Sequence, residues 1–222
     1  MPLSIVNVAQ VANKVGRPFA TMAVANVGDL VVNVFICQGT VQYHRHFDED
    51  ELFLVHEGVV ALETVRGTIA LHPEELAVVP KGVGHRSKSN LRSVVVLIRP
   101  AVMTERKNGH RQVTPLETDP PLEKVRLNRA AEALIEPQQA VAVAQVEDFE
   151  VLLRRAEGPG PNESAPLSGA FWLAVRGAVK IELSGEEAAP LAAGELTVIP
   201  AGTGFRLNAV EPSLLLTLAR TP

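Results

Sequence analysis

The 222-residue sequence predicts an all-β protein made of two antiparallel jelly-roll barrels in one chain, with a few short helices. Three observations carry this. Short β-branched runs are separated by Gly, Pro, Asn and Asp. The chain contains no long helical pattern able to cover a parallel sheet. The pattern of the first half also recurs in the second.

The strands are seen best in Val59-Val60-Ala61-Leu62-Glu63-Thr64-Val65, Leu76-Ala77-Val78-Val79 and Val94-Val95-Val96-Leu97-Ile98, each bounded by turn residues. Two segments break the pattern, 4–14 and 128–135, where Ala-containing, Gly-free spacing suits a short helix at the start of each half. The recurrence keeps register. Ala23-Val24-Ala25-Asn26-Val27-Gly28-Asp29 reappears as Ala142-Val143-Ala144-Gln145-Val146-Glu147-Asp148, and at the same offset Gly39 falls on Gly158 and Gly58 on Gly177. One inserted residue then brings Pro80-Lys81-Gly82-Val83-Gly84 onto Pro200-Ala201-Gly202-Thr203-Gly204. Pro and Gly fix particular backbone geometries, so their recurrence in one register indicates an internal duplication. Residues 101–124, with Asp119-Pro120-Pro121, read as a linker or strap. The expected division is a first barrel over 1–100, the linker, and a second barrel over 125–222.

Composition narrows the function classes. Hydrophobic residues make up 46% and charged residues 21%, as in a folded globular protein. The net charge of −4 comes without a run of Lys or Arg, so nothing neutralises phosphates and nucleic acid is not an expected partner. No segment reaches the roughly 18 apolar residues of a membrane span, and the first residues do not read as a secretion signal, so a cytoplasmic protein with no membrane partner is expected. A single cysteine, Cys37, lies in an apolar run and reads as a buried small hydrophobe.

The stretch from Gly39 to Gly58 and the turn at 80–85 carry the chemistry. Residues two apart in a strand share a face, so His44 and His46 can aim two imidazoles at one point. Glu51 opens the next strand after an acidic turn, and Pro80-Lys81-Gly82-Val83-Gly84-His85 delivers His85 from a remote strand. Three imidazoles and a carboxylate suit one borderline divalent metal ion and leave room for water or substrate. Phe53 and Val55 should form an apolar wall on the same strand face as Glu51. Arg45 and Arg86 alternate to the opposite face, and His56, His72 and His110 read as surface residues.

At these residues the sequence resembles the cupin superfamily, whose first motif reads G-x5-H-x-H-x3-4-E-x6-G and whose second reads G-x5-P-x-G-x2-H-x3-N. The first glycine is one residue closer here, Glu74 stands where the second motif has Gly, and Ser89 stands where it has Asn. None of these departures removes a ligand. The resemblance implies jelly-roll barrels and a metal site at His44, His46, Glu51 and His85, holding iron, manganese, zinc or nickel. In the second half the matching positions are Glu163, Ala165, Ala170 and Phe205, so that barrel is expected to have lost its metal and to serve packing, with Phe171 and Trp172 in its core. No catalytic residue beyond the ligands can be named. The expected function is metal-dependent oxygenase, isomerase or lyase chemistry on a small oxygenated metabolite. The alternative is a non-catalytic small-molecule-binding or regulatory protein with a structural metal. A small-molecule ligand is the expected partner, and a homodimer of the whole chain is left open.

Overall fold

β-Branched residues favour extended backbone, and positive-φ glycines such as Gly28, Gly58 and Gly82 turn the chain between runs where an L side chain would be strained. The result, in a computed structural model that describes residues 3–101, 118–184 and 186–221, is two eight-stranded sheets with short helices. In chain order the elements are β1 (Val6–Asn7), α1 (Val8–Ala12), β2 (Thr21–Val27), β3 (Leu30–Thr40), β4 (Glu51–Glu57), β5 (Val60–Thr64), β6 (Gly67–Leu71), β7 (Glu75–Val79), β8 (Arg86–Pro100) and β9 (Lys124–Arg126). After them come α2 (Leu127–Ala130), a 3-10 turn (Ala131–Ala133), β10 (Ala140–Val146), β11 (Phe149–Ser164), β12 (Ala170–Arg176), β13 (Ala178–Leu183), β14 (Ala189–Ala192), β15 (Glu195–Ile199) and β16 (Gly204–Arg220). The two expected helices are present but shorter than their patterns suggested, and β1 takes the start of the first.

One compact unit comprises Gln10–Val24 and Leu30–Arg126. Its sheet runs β2-β3-β8-β4-β7-β9, with β5 pairing β6 and β8. Long-range antiparallel pairing of β3 with β8 over Leu30↔Pro100 to Thr40↔Lys88 forms its spine. Alternation then sends Phe35, Cys37, Phe53, Val55, Val95 and Leu97 into one buried cluster. Cys37 is fully buried there, and burial pushes its thiol up to about 11, so it is an inert hydrophobe.

The other unit comprises Met1–Ala9, Ala25–Asp29 and Leu127–Pro222, with strand order β1-β15-β12-β16-β11-β10 and β13 pairing β14 and β16. Read from the opposite end, this order repeats the first sheet. β1 caps β15 through Val6↔Leu196, as β9 caps β7 through Leu76↔Val125. The compact units therefore depart at their ends from a division by chain order alone, because β1 and Ala25–Asp29 belong with the later residues. Most of the linker, with His110, lies outside the described residues.

Tight turns place the later site residues. Gly58 has φ +83, and an added Cβ would run into Ser93, whose hydroxyl accepts the Val59 N–H at 3.0 Å. Gly82, also at φ +83, turns the loop between β7 and β8 and donates its N–H to His46 O at 2.6 Å.

Candidate metal centre

Four side chains meet at the mouth of the first barrel. Glu51 heads β4 and pairs with Val79 of β7, which fixes its carboxylate inward. His85 lies just before β8 and is 1% exposed. The spacing argument placed His44 and His46 in a strand. They lie instead in the irregular stretch between β3 and β4, where His44 makes an isolated antiparallel bridge with His85. The physical reason is the Gly82 turn, whose bond to His46 O takes that residue's carbonyl out of any sheet ladder. The four ligand atoms, one from each residue, lie within 4.8 Å of one another.

Every imidazole is oriented from behind. His44 Nδ1 lies 2.8 Å from Gln42 O, His85 Nδ1 3.1 Å from Val83 O, and His46 Nδ1 2.5 Å from Glu49 Oε1. A carbonyl or carboxylate can only accept, so each Nδ1 carries the proton and each Nε2 is the free nitrogen. Glu49, 8% exposed within the acidic turn, is the orienting residue that the sequence did not reveal. Its neighbours Asp48 and Asp50 offer the same charge, and the sequence alone does not say which carboxylate turns inward.

The centre suits a cation. His46 Nε2 and His85 Nε2 lie 3.3 and 3.2 Å from the same oxygen, Glu51 Oε2. Two bare imidazole nitrogens facing one carboxylate repel it unless positive charge lies among them. In the metal-free protein a proton supplies that charge. Burial disfavours the His46 cation, but hydrogen bonds to Glu49 and Glu51 outweigh this and raise its pKa to about 9. Burial, together with the charge of His85, lowers His44 to about 4. Burial acts to raise the Glu51 carboxyl, yet the His46 and His85 rings beside it hold it well below the usual carboxylate range. Three neutral nitrogens and one oxygen at one point also fit a divalent metal, which would take the place of the proton.

The surroundings correct two expectations. Arg45 does face away from the ligands, but it is 6% exposed and its Nη2 bonds Asp119 Oδ2 at 3.1 Å. Asp119 also accepts the Gly84 N–H at 3.2 Å, and Arg66 Nε binds its backbone oxygen at 3.0 Å. A strap residue therefore backs both histidine segments. His56, read as a surface residue, is half-buried, and burial lowers its pKa. His72 is exposed as expected, and Arg86 pairs with Glu63 away from the centre. Phe53 forms the expected wall, with its ring edge-on to His85 at 6.1 Å between centroids.

Two polar residues missed by the motif share this interior. Arg99 on β8 is 7% exposed, with Nη1 3.7 Å from Glu51 Oε1 and Nε unpartnered. Asn33 on β3, 4% exposed, leaves Nδ2 unpartnered. Both follow the inward alternation of Phe35 and Leu97.

The second barrel keeps the backbone and changes the chemistry. Glu163 pairs with Phe205 as His44 pairs with His85, and Ala170 pairs with Ile199 as Glu51 pairs with Val79. Gly202 donates to Ala165 O as Gly82 donates to His46 O. No metal-ligand set is left at these positions.

Across their whole lengths, the chain superposes on a cupin 2 conserved barrel domain protein from Leptotrichia buccalis with TM-score 0.75, covering 100% of this chain and 98% of that one at 10% identity. The chain has the cupin fold. A second cupin-fold match, salicylate 1,2-dioxygenase from Pseudaminobacter salicylatoxidans, gives TM-score 0.75 at 13% identity over 99% of this chain and 84% of that one. In sequence, the uncharacterized protein YdbB of Bacillus subtilis (strain 168) is 33% identical over 89 residues, which is 40% of this chain and 79% of that protein. No family model matches the chain. Among the described residues, no helix is long and apolar enough to cross a membrane.

Proposed function

We propose that His44, His46, Glu51 and His85 hold one divalent metal ion and that the first barrel is a metal-dependent oxygenase acting on a small oxygenated metabolite that bears a carboxylate. The observation that carries this reading is that one donor atom from each of the four residues lies within 4.8 Å of the others, with each imidazole held at its Nδ1 by an acceptor and with His46 and His85 Nε2 beside Glu51 Oε2. A site of His and Glu donors suits catalysis better than the thiolate-rich sites that serve structure. Iron is the first metal to test, because the whole-chain likeness is to a dioxygenase, one structure of which contains gentisate.

When bound, the metal supplies Lewis-acid and redox chemistry. The chain supplies the rest. Arg99 offers a buried guanidinium beside Glu51, suited to hold a carboxylate through charge-assisted hydrogen bonds. Asn33 Nδ2 offers a neutral donor to a hydroxyl or carbonyl oxygen. Phe53 and Val55 keep water away from the flat part of the ligand.

The test is reconstitution with iron, manganese, nickel or zinc, followed by oxygen uptake and product analysis on a panel of hydroxylated aromatic acids, diketones and hydroxy acids. Turnover by one metal form, lost in Arg99→Leu for acids but kept for uncharged analogues, supports the reading. Inertness of every metal form while a metabolite still binds leaves a non-catalytic binding protein.

A further inference from the structure

The second barrel contains a cavity of about 340 Å³, and its lining differs from the first barrel in a concerted way. Strand register matches Leu30↔Pro100 with Phe149↔Arg220, so Phe35 corresponds to Arg154, Arg99 to Ala219 and Asn33 to Leu152. Where the first barrel has His46, Glu51 and Arg99, the second has Ala165, Ala170 and Ala219, and these truncations open room. The apolar Phe19–Phe35 contact, 6.4 Å between ring centroids, is matched by Gln138 and Arg154, joined by a 3.1 Å hydrogen bond. A barrel kept for packing alone would close such space with apolar side chains, because burying a guanidinium is costly.

Instead the charge is retained and oriented. Arg154 is 7% exposed, lies 5.4 Å over the Trp172 ring, and sets Nη1 2.7 Å from Glu163 Oε1. Two donors on the lining residues have no partner, Arg154 Nε and the Trp172 indole Nε1. Trp172 and Phe205 meet edge-on at 6.2 Å between ring centroids and give the cavity an aromatic wall. Glu163 is the more exposed member of the pair, with 29% of its side chain exposed against 9% for Arg154.

We infer that the second barrel is a separate ligand site for a small flat monocarboxylate, anchored by Arg154 against Trp172 and Phe205, with Glu163 occupying the guanidinium until the ligand displaces it. A carboxylate matches the guanidinium in charge and geometry, and swinging Glu163 outward costs little because its side chain already reaches solvent. Charge alone would serve a phosphate as well. The aromatic wall favours a planar body over a tetrahedral anion. This site uses no residue of the metal centre.

Trp172 is the only tryptophan in the chain, so its fluorescence reports this barrel alone. The probe is benzoate, with benzamide as the uncharged isostere and inorganic phosphate as the tetrahedral anion, titrated into chelator-treated protein. The expected result is a saturable change with benzoate and weak or no response to the other two. Arg154→Leu should weaken benzoate by more than about tenfold through loss of a charged hydrogen-bond partner. Glu163→Gln should tighten it by up to about fivefold by freeing the guanidinium. Linear, non-saturating quenching, an equal response to benzamide, or a Glu163→Gln protein that binds more weakly would each overturn the proposal. The benzamide comparison decides the matter even if Arg154→Leu does not fold.

Discussion

His44 and His85 exchange both backbone hydrogen bonds, N–H to O in each direction at 2.9 Å, and form a bridge that stands apart from the strands on either side. Their rings come 4.4 Å apart as a result. Two candidate ligands from remote parts of the chain are thus set by main-chain pairing before any metal arrives, which lowers the ordering cost of binding.

A metal bound only to the folded state stabilises it by RT ln(1 + [L]/Kd), about 2.7 kcal/mol at a hundred times Kd. Wild-type protein should therefore melt higher with metal than with chelator. His85→Ala should lose that increment and also start from a lower melting point, because His85 is buried rather than set in an open pocket. Thermal melts of both proteins, with and without metal, measure the increment directly. An equal increment in the variant removes His85 from the ligand set.

Glu49 should matter nearly as much as a ligand. It orients His46 at 2.5 Å without reaching the central point, and such partners typically contribute about 10–100-fold in metal affinity. Glu49→Gln should weaken metal binding by that order and leave stoichiometry at one ion per chain. Competition with a chelating dye reads the affinity, and an unchanged constant would assign Glu49 to local structure only.

The difference between Glu49 and the four ligands shows what the sequence could carry. His44, His46, Glu51 and His85 were legible as a candidate set because their spacing along the chain matches the motif and a Pro-Gly turn delivers His85, although His44 and His46 lie outside the strands. Glu49 was not, since neighbouring carboxylates in a turn follow no period. Alternation assigned Arg45 correctly to the face away from the ligands, but it cannot say that Asp119 covers that face. The fold class followed from strand and turn pattern. The edge pairing of Val6–Asn7 with Leu196 and Glu195 did not, because two residues are too few to show a period.

Glu75 links β7 to β9 and should make stability depend on acid. Burial acts to raise its carboxyl, but the His72 N–H, Lys124 and Arg126 together hold it below the usual carboxylate range. A carboxylate held low in the folded state stabilises it above the unfolded pKa, near 4.3, and that contribution is lost as pH falls through the folded value. The stability gap between wild type and Glu75→Gln should thus be full at pH 6 and shrink progressively below about pH 4.3. Urea titrations from pH 6 to 3 measure it, and a gap that widens with acid would reverse the assignment.

Glu74 occupies the position where the cupin motif has glycine, and its φ is +64. The corresponding turn of the second barrel has Gly194 at φ +79. A non-glycine residue in the left-handed region costs about 1–2 kcal/mol, whereas glycine brings about 0.5–1 kcal/mol of extra unfolded-state entropy. Glu74→Gly should therefore stabilise the protein by about 0.5–1 kcal/mol, less whatever the Glu74 side chain contributes through its own contacts. Glu74→Ala separates the two effects: it removes the side chain and keeps the strained backbone, so it should fall below wild type while Glu74→Gly rises above it. Chemical denaturation of the three proteins tests the order. If alanine and glycine prove equally stable, the positive φ at this turn carries no strain, and the departure from the motif is energetically neutral.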